Sequence, residues 1–226
     1  MPDEVLQHVI DGLLPTFGEL AGWTGPPSAG AYERVEAARL RLGEAMTEQP
    51  ARTAEYADEI FEAVLLDSGT TSQLLHPLIA AIGRRPVLLR LTRAVEEGPC
   101  RRSANAGSAA YWVRCWPPRP KTVPAEVRTA EDLIAYLHER AATLTAQPEN
   151  RVDDLWPPFW RACMAAFVAC DDDDVRRVLE TTFPLASECR PPEVAELVAA
   201  VRAIVDASPE KYQRLRDGTT GLGHAI

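Results

Sequence analysis

The sequence predicts an all-α chain, and three observations carry that prediction. No segment of the 226 residues shows the apolar–polar alternation of a half-buried strand, whereas apolar residues recur at three- and four-residue spacing through most of the length. Proline and glycine fall between the periodic stretches, at Gln49-Pro50, Gly83, Gly98-Pro99 and Ser208-Pro209, where helices stop. A composition of 46% hydrophobic and 25% charged residues belongs to a globular chain, long enough for one body or a short row of stacked helices. Nine or ten helices in antiparallel pairs are expected within a single domain over 1–226.

At the N-terminal end, Leu6, Val9, Ile10, Leu13, Leu14 and Phe17 carry a helical period that Gly12 and Pro15 interrupt, so a short helix, a break and the loop WTGPPSAG are expected. From Ala31, the set Tyr32, Val35, Ala38, Leu42 and Met46 gives one amphipathic helix. After Gln49-Pro50, the set Ala57, Ile60, Phe61, Val64 and Leu65 gives a second, antiparallel to the first by loop length. Gly69-Thr70-Thr71 then introduces LLHPLIAAI, a short helix ahead of Gly83. His76, followed by Pro77, reads as a residue near the start of that helix.

The stretch from Arg84 to Trp116 reads as one helical hairpin. Pro86 suits a first turn, and Val87, Leu91, Ala94 and Val95 continue the helix to Glu97, where Gly98-Pro99 stops it. Past Arg101-Arg102, the run from Ser103 to Val113 carries two stripes: Ala104, Gly107, Ser108, Tyr111 and Cys115 on one, Ala106, Ala109, Ala110 and Val113 on the other. Two apolar stripes predict a helix covered on two sides. Pro117, Pro118, Pro120 and Pro124 then exclude helix over 117–128, which is the natural boundary between halves 1–116 and 129–215.

Beyond it, Thr129 with Asp132 forms a capping box for a helix through Leu133, Ile134, Leu137, Ala141 and Leu144. Trp156-Pro157-Pro158 opens an apolar helix with Phe159, Trp160, Cys163, Met164, Phe167 and Val168. The acidic run Asp171–Asp174 lacks the alternation of a calcium loop and suits the N-terminal dipole of a helix over 175–183. Pro191-Pro192-Glu193 opens the last long helix, through Val194, Leu197, Val198, Val201, Ile204 and Val205. A short polar helix around Tyr212–Leu215 precedes a flexible tail, 216–226, whose glycines follow no strand and are not read as a phosphate loop.

An apolar helix, a short acidic or glycine turn, arginine and an alanine-rich helix, as in Val87–Val95, Glu96–Arg102 and Ser103–Val113, resemble a HEAT-type repeat. A second copy runs from Leu155 through the turn Asp171–Asp174 to Val175-Arg176-Arg177 and Phe183. The resemblance implies a right-handed α–α superhelix of HEAT-like antiparallel helix pairs; an irregular helical bundle is the alternative.

The charge is unevenly placed. Between Arg84 and Lys121, nine basic residues stand against Glu96 and Glu97, a balance of +7, which leaves −16 on the rest of a chain of net charge −9. A basic centre with acidic arms fits a groove that grips an acidic protein or peptide, while pairing of the same arginines with neighbouring acidic helices is the competing reading. The candidate binding residues are Arg84, Arg85, Arg101, Arg102, Tyr111, Trp112, Arg114 and Trp116. Reversing charge at Arg84 and Arg101 is expected to abolish capture with helicity intact.

No catalytic residue, cofactor or metal is assigned. The five cysteines have no Cys-x-x-Cys spacing and are expected as reduced thiols, and the four histidines are scattered. Gly-x-Ser-x-Gly, the phosphate-binding Gly-x4-Gly-Lys pattern and His-Glu-x-x-His are absent. No leader or membrane-spanning run is read, so a cytoplasmic address is expected. The first functional reading is therefore a protein-interaction scaffold. The alternative, nucleic-acid binding, follows from the resemblance, because one family of DNA alkylation-repair glycosylases is built from HEAT-like repeats. That family's tryptophan-then-aspartate segment is not found: Asp153 and Asp154 precede Trp156. The acidic balance also opposes phosphate binding.

Overall fold

A computed structural model of the chain describes residues 2–19, 29–67, 71–118, 120, 123–185 and 194–217. Every regular element among them is helical, with twelve α-helices and three short 3-10 turns. Most of the loop expected at 23–30, together with Gly69, Thr70, the opening Pro191–Glu193 and the tail beyond 217, lies outside the described residues.

The first helix, α1 (Pro2–Leu13), runs through Gly12 and continues into a 3-10 turn, Leu14–Phe17, where a break was expected. Gly12 stands in open space, and a helical glycine costs only about 1 kcal/mol against alanine. Pro15 falls at the start of the 3-10 turn, where a missing N–H leaves nothing unpaired. The stop comes at Gly18, whose φ of 81° puts it in the left-handed region that terminates helices.

Four helices follow: α2 (Ala31–Glu48), α3 (Pro50–Glu55), α4 (Ala57–Leu66) and α5 (Ser72–Ile82). The expected pairing of α2 with α4 does not form. Instead α2 packs on α1 and α5, while α4 packs on α1, α5 and α7. The short α3 redirects the chain, and Thr53 pins it to α2 by donating its hydroxyl to the Met46 carbonyl at 2.9 Å. The α2–α5 contact has a local cause. Pro77 lies inside α5 and offers no N–H to the Gln73 carbonyl one turn earlier. Against that carbonyl sits Gly43 of α2, where a Cβ would lie 2.4 Å from the oxygen, so only glycine allows this approach.

The predicted central hairpin is present as α6 (Arg84–Glu97) and α7 (Cys100–Arg114). Both helices begin before their predicted starts. The first gains two residues, Arg84 and Arg85, where the Arg84 N–H donates to Asn150 Oδ1 at 2.9 Å, a cap supplied from far along the chain. As the two stripes predict, α7 is covered on more than one side: it buries Ala104, Ala106, Gly107, Ala109, Ala110 and Val113 and packs on α4, α5, α6, α9 and α10.

The second apolar unit forms α9 (Trp156–Ala169) and α10 (Asp173–Leu179), the latter ending four residues before Phe183. Asp172 caps α10, its Oδ1 accepting from Asp174 N at 2.9 Å and Val175 N at 3.2 Å. In the stack, α6 lies on α9 and α7 on α10. The long C-terminal helix α11 (Ala195–Ala207) covers α9, and α12 (Gln213–Arg216) follows it. Between the two units, α8 (Ala130–Thr145) opens on the predicted capping box, Thr129 Oγ1 accepting from Asp132 N at 3.1 Å and Asp132 Oδ2 accepting from Thr129 N at 3.0 Å. It buries no residue completely. No helix among the described residues is long and apolar enough to cross a membrane.

Candidate interaction site between α4 and α6

Because α4 and α6 both rest on α7 and touch each other little, a cleft of about 1020 Å³ opens between them. Its floor is Phe61, Leu65 and Ala94; its far end is the turn Gly98-Pro99. Each wall follows from helical spacing, since residues three and four apart share a face. Asp58, Glu59 and Glu62 project from α4 beside Phe61 and Leu65, while Ile60 and Val64 turn into the core. Arg90, Arg93 and Glu97 project from α6, and Arg102 enters from the first turns of α7.

Two ion pairs cross the cleft. Arg90 Nη1 lies 2.6 Å from Asp58 Oδ1, with the Arg90 guanidinium 6.0 Å from the Phe61 ring centre. Arg102 donates twice to Glu62, at 2.8 and 2.6 Å, and these hydrogen bonds raise the Arg102 pKa above its ordinary value against the opposing effect of burial. Both pairs face solvent, and such pairs contribute at most about 1 kcal/mol each. Arg93, Glu59 and Glu97 line the cleft and are exposed, and among the described residues none of the three has an ion pair.

The eight sequence-predicted residues are not gathered on one surface. The hairpin is antiparallel, so Arg84 and Arg85 meet the C-terminal end of α7 while Arg101 and Arg102 stand at its N-terminal end, about 20 Å away along the helix. Arg84 is 9% exposed. Its guanidinium donates to the Val113 carbonyl at 3.1 Å and the Asn150 carbonyl at 3.3 Å, and burial lowers its pKa, with Asp153 opposing. Arg85 makes a two-pronged pair with Asp154, at 2.7 and 2.8 Å. The hydrogen bond to Arg85 lowers the Asp154 pKa. Arg101 is exposed.

Among the aromatic candidates, Tyr111 is exposed and meets the Trp112 ring edge-on at 5.0 Å. Half-buried Trp112 packs in turn on His76, at 5.7 Å. Arg114 is half-buried in the last turn of α7, and Trp116 is buried. Trp116 lines a second cavity of about 430 Å³ with Met46, Pro77, Ile82, Arg140 and Leu144. Arg119 and Lys121 lie outside the described residues.

Sequence reasoning missed the α4 wall. Asp58 and Glu62 are four apart on one helix face and exposed, which marks them as an outward acidic row. Nothing in their spacing names Arg90 and Arg102 as partners, because those contacts span dozens of residues. Asn150, which accepts from Arg84 and donates from Nδ2 to the Leu144 carbonyl at 2.9 Å, was equally silent. No protein-family model, curated protein or solved structure matches the chain.

Proposed function

We propose that the chain is a non-catalytic interaction protein of HEAT-like helix pairs that grips a segment of another protein in the cleft between α4 and α6. The repeat reading draws support from the way α6 lies on α9 and α7 on α10, which is how the corresponding helices of neighbouring repeats stack. The binding reading is carried by one observation: an open cleft with an apolar floor keeps Arg93, Glu59 and Glu97 exposed beside two ion pairs that already cross it. Such a cleft fits an amphipathic helix or extended segment that places an apolar side chain over Phe61, an acidic one at Arg93 and a basic one at Glu59 or Glu97.

Arg84 is unsuited to a test of this reading, since reversing its charge strands a carboxylate against the Val113 and Asn150 carbonyls. The informative variant is Arg93→Glu with Glu97→Arg, which keeps net charge and touches no buried group. A photo-crosslinking side chain at Glu59 is expected to give a discrete protein adduct in lysate. The swap should reduce that adduct at least fivefold with an unchanged circular dichroism spectrum. An adduct indifferent to the swap would move binding away from the cleft. Salt-sensitive binding of labelled DNA or RNA with no protein adduct would favour the nucleic-acid alternative.

A further inference from the structure

We propose that the cavity walled by α2, α5, Trp116 and α8 is a ligand site for a medium-sized apolar monocarboxylic acid, with Arg140 taking the carboxylate. The placement of α8 creates this space. Its contacts are chiefly with the 3-10 turn Pro148–Asn150, and that turn is fixed to the first half of the chain at two points. Asn150 Oδ1 accepts from the Arg84 N–H, and Glu149 closes on Gly83, where a Cβ would lie 2.8 Å from the Glu149 carbonyl oxygen. So α8 is carried past the end of α5 with little packing between them, and both line a cavity of about 430 Å³.

That volume falls within the range of small-molecule sites, roughly 300–1000 Å³, and equals roughly fourteen water-sized groups at about 30 Å³ each. The wall is largely apolar: Met46 of α2, Ile79 and Ile82 of α5, Trp116, and Leu144 of α8. Leu144 stands one turn after Arg140, so the two share a face of α8 and set an apolar group beside a cationic one. Half-buried Arg140 donates Nη1 to the Pro118 carbonyl at 2.9 Å. Among the described residues it has no ion pair, and its Nε–Nη2 edge has no acceptor. Two parallel N–H donors on a guanidinium edge match the two oxygens of a carboxylate.

The rest of the lining narrows the class. His76 also lines the cavity; burial lowers its pKa, so the ring is neutral at pH 7 and Arg140 supplies the positive charge. Exposed Glu149 stands at the rim and repels a second negative charge, which favours a monoanion over a phosphate ester or a dicarboxylate. The apolar tail occupies the space among Met46, Ile79, Ile82 and Trp116. Bound there, the acid joins α5 to α8 and gives α8 the apolar contact it otherwise lacks, since none of its residues is fully buried. The inference stands independently of the α4–α6 cleft.

The test titrates the full-length protein by calorimetry with decanoate, decanol and decyl phosphate, which share one tail and differ in the head. Decanoate is expected to bind saturably and tightest, with decanol at least about tenfold weaker for want of the charged hydrogen bonds. Amide exchange with decanoate bound should slow at the end of α5 and in the second half of α8. Arg140→Met keeps an apolar stem and should erase the preference for decanoate over decanol, whereas Ala81→Phe, which fills the cavity from α5, should remove binding of both. The wild-type comparison decides the matter even if either variant folds poorly. No saturable decanoate binding, equal affinity for decanol, tighter binding of decyl phosphate, or exchange protection confined to other helices overturns the proposal.

Discussion

Helices α7 and α8 are nearly equal in length, at 15 and 16 residues, and are held in opposite ways. α8 carries the strongest local signals of the chain, with a complete capping box, acidic residues in its first turn and good helix formers throughout. Yet none of its side chains is fully buried, and Ile134 is 56% exposed. α7 has no side-chain cap and contains a glycine and an asparagine, but buries eight residues and touches five other helices. Tertiary packing stabilises α7, whereas α8 depends on its own turn chemistry. The two therefore belong to different levels of local stability.

The contrast breaks most severely at Gly107. A Cβ there would lie 2.9 Å from the Thr182 Cγ2, in the seam where α7 meets the end of α10. Gly107→Val is expected to destabilise the whole chain by about 3 kcal/mol through overpacking, a fall in Tm on the order of 10 °C. A thermal melt checks it, and an unchanged Tm would mean that the seam yields and α7 is not the rigid centre. Arg84→Met is next. It leaves the Val113 and Asn150 carbonyls without their charged donor and should lower stability by about 2 kcal/mol, as read in urea unfolding.

His76 sharpens the comparison through pH. Burial lowers its pKa below the ordinary 6.5, the first and larger influence, while the Trp112 backbone opposes it. A depressed folded value means the neutral ring's stabilisation is fully present above about 6.5 and lost as pH falls through the folded value. His76→Phe should therefore have a Tm that declines less than wild type between pH 7 and pH 5. Parallel pH profiles for the two proteins would remove His76 from the account.

These sites also explain what was legible in the sequence. Helix type and most helix positions follow from local spacing and caps, which is why α8, α10 and the α6–α7 hairpin were readable. Partners were not. Gly43 beneath the Gln73 carbonyl, Asn150 capping α6 and Glu62 holding Arg102 join residues 30 to 66 positions apart, and periodicity carries no information about which faces meet. The count of arginines was plain, but whether each faces a groove or a carboxylate depends on neighbours brought in by the fold. Arg84 and Arg93, nine residues apart on one helix, came out buried and exposed respectively.

The smallest global effect belongs to α8. Thr129→Ala removes the side-chain acceptor for the Asp132 N–H, and with it the alignment in which Asp132 Oδ2 accepts from Thr129 N and Arg128 N. Loss of such a cap costs about 1 kcal/mol. Because α8 packs so little against the rest of the chain, that cost should be confined to the helix itself. Amide exchange in the first two turns of α8 is expected to accelerate roughly fivefold while Tm changes by less than about 1 °C. The same assay on Gly107→Val should accelerate exchange in α6, α7, α9 and α10 together. A Tm shift in Thr129→Ala as large as that of Gly107→Val would place α8 in the same cooperative unit as α7, and the distinction between locally held and tertiarily held helices would fall.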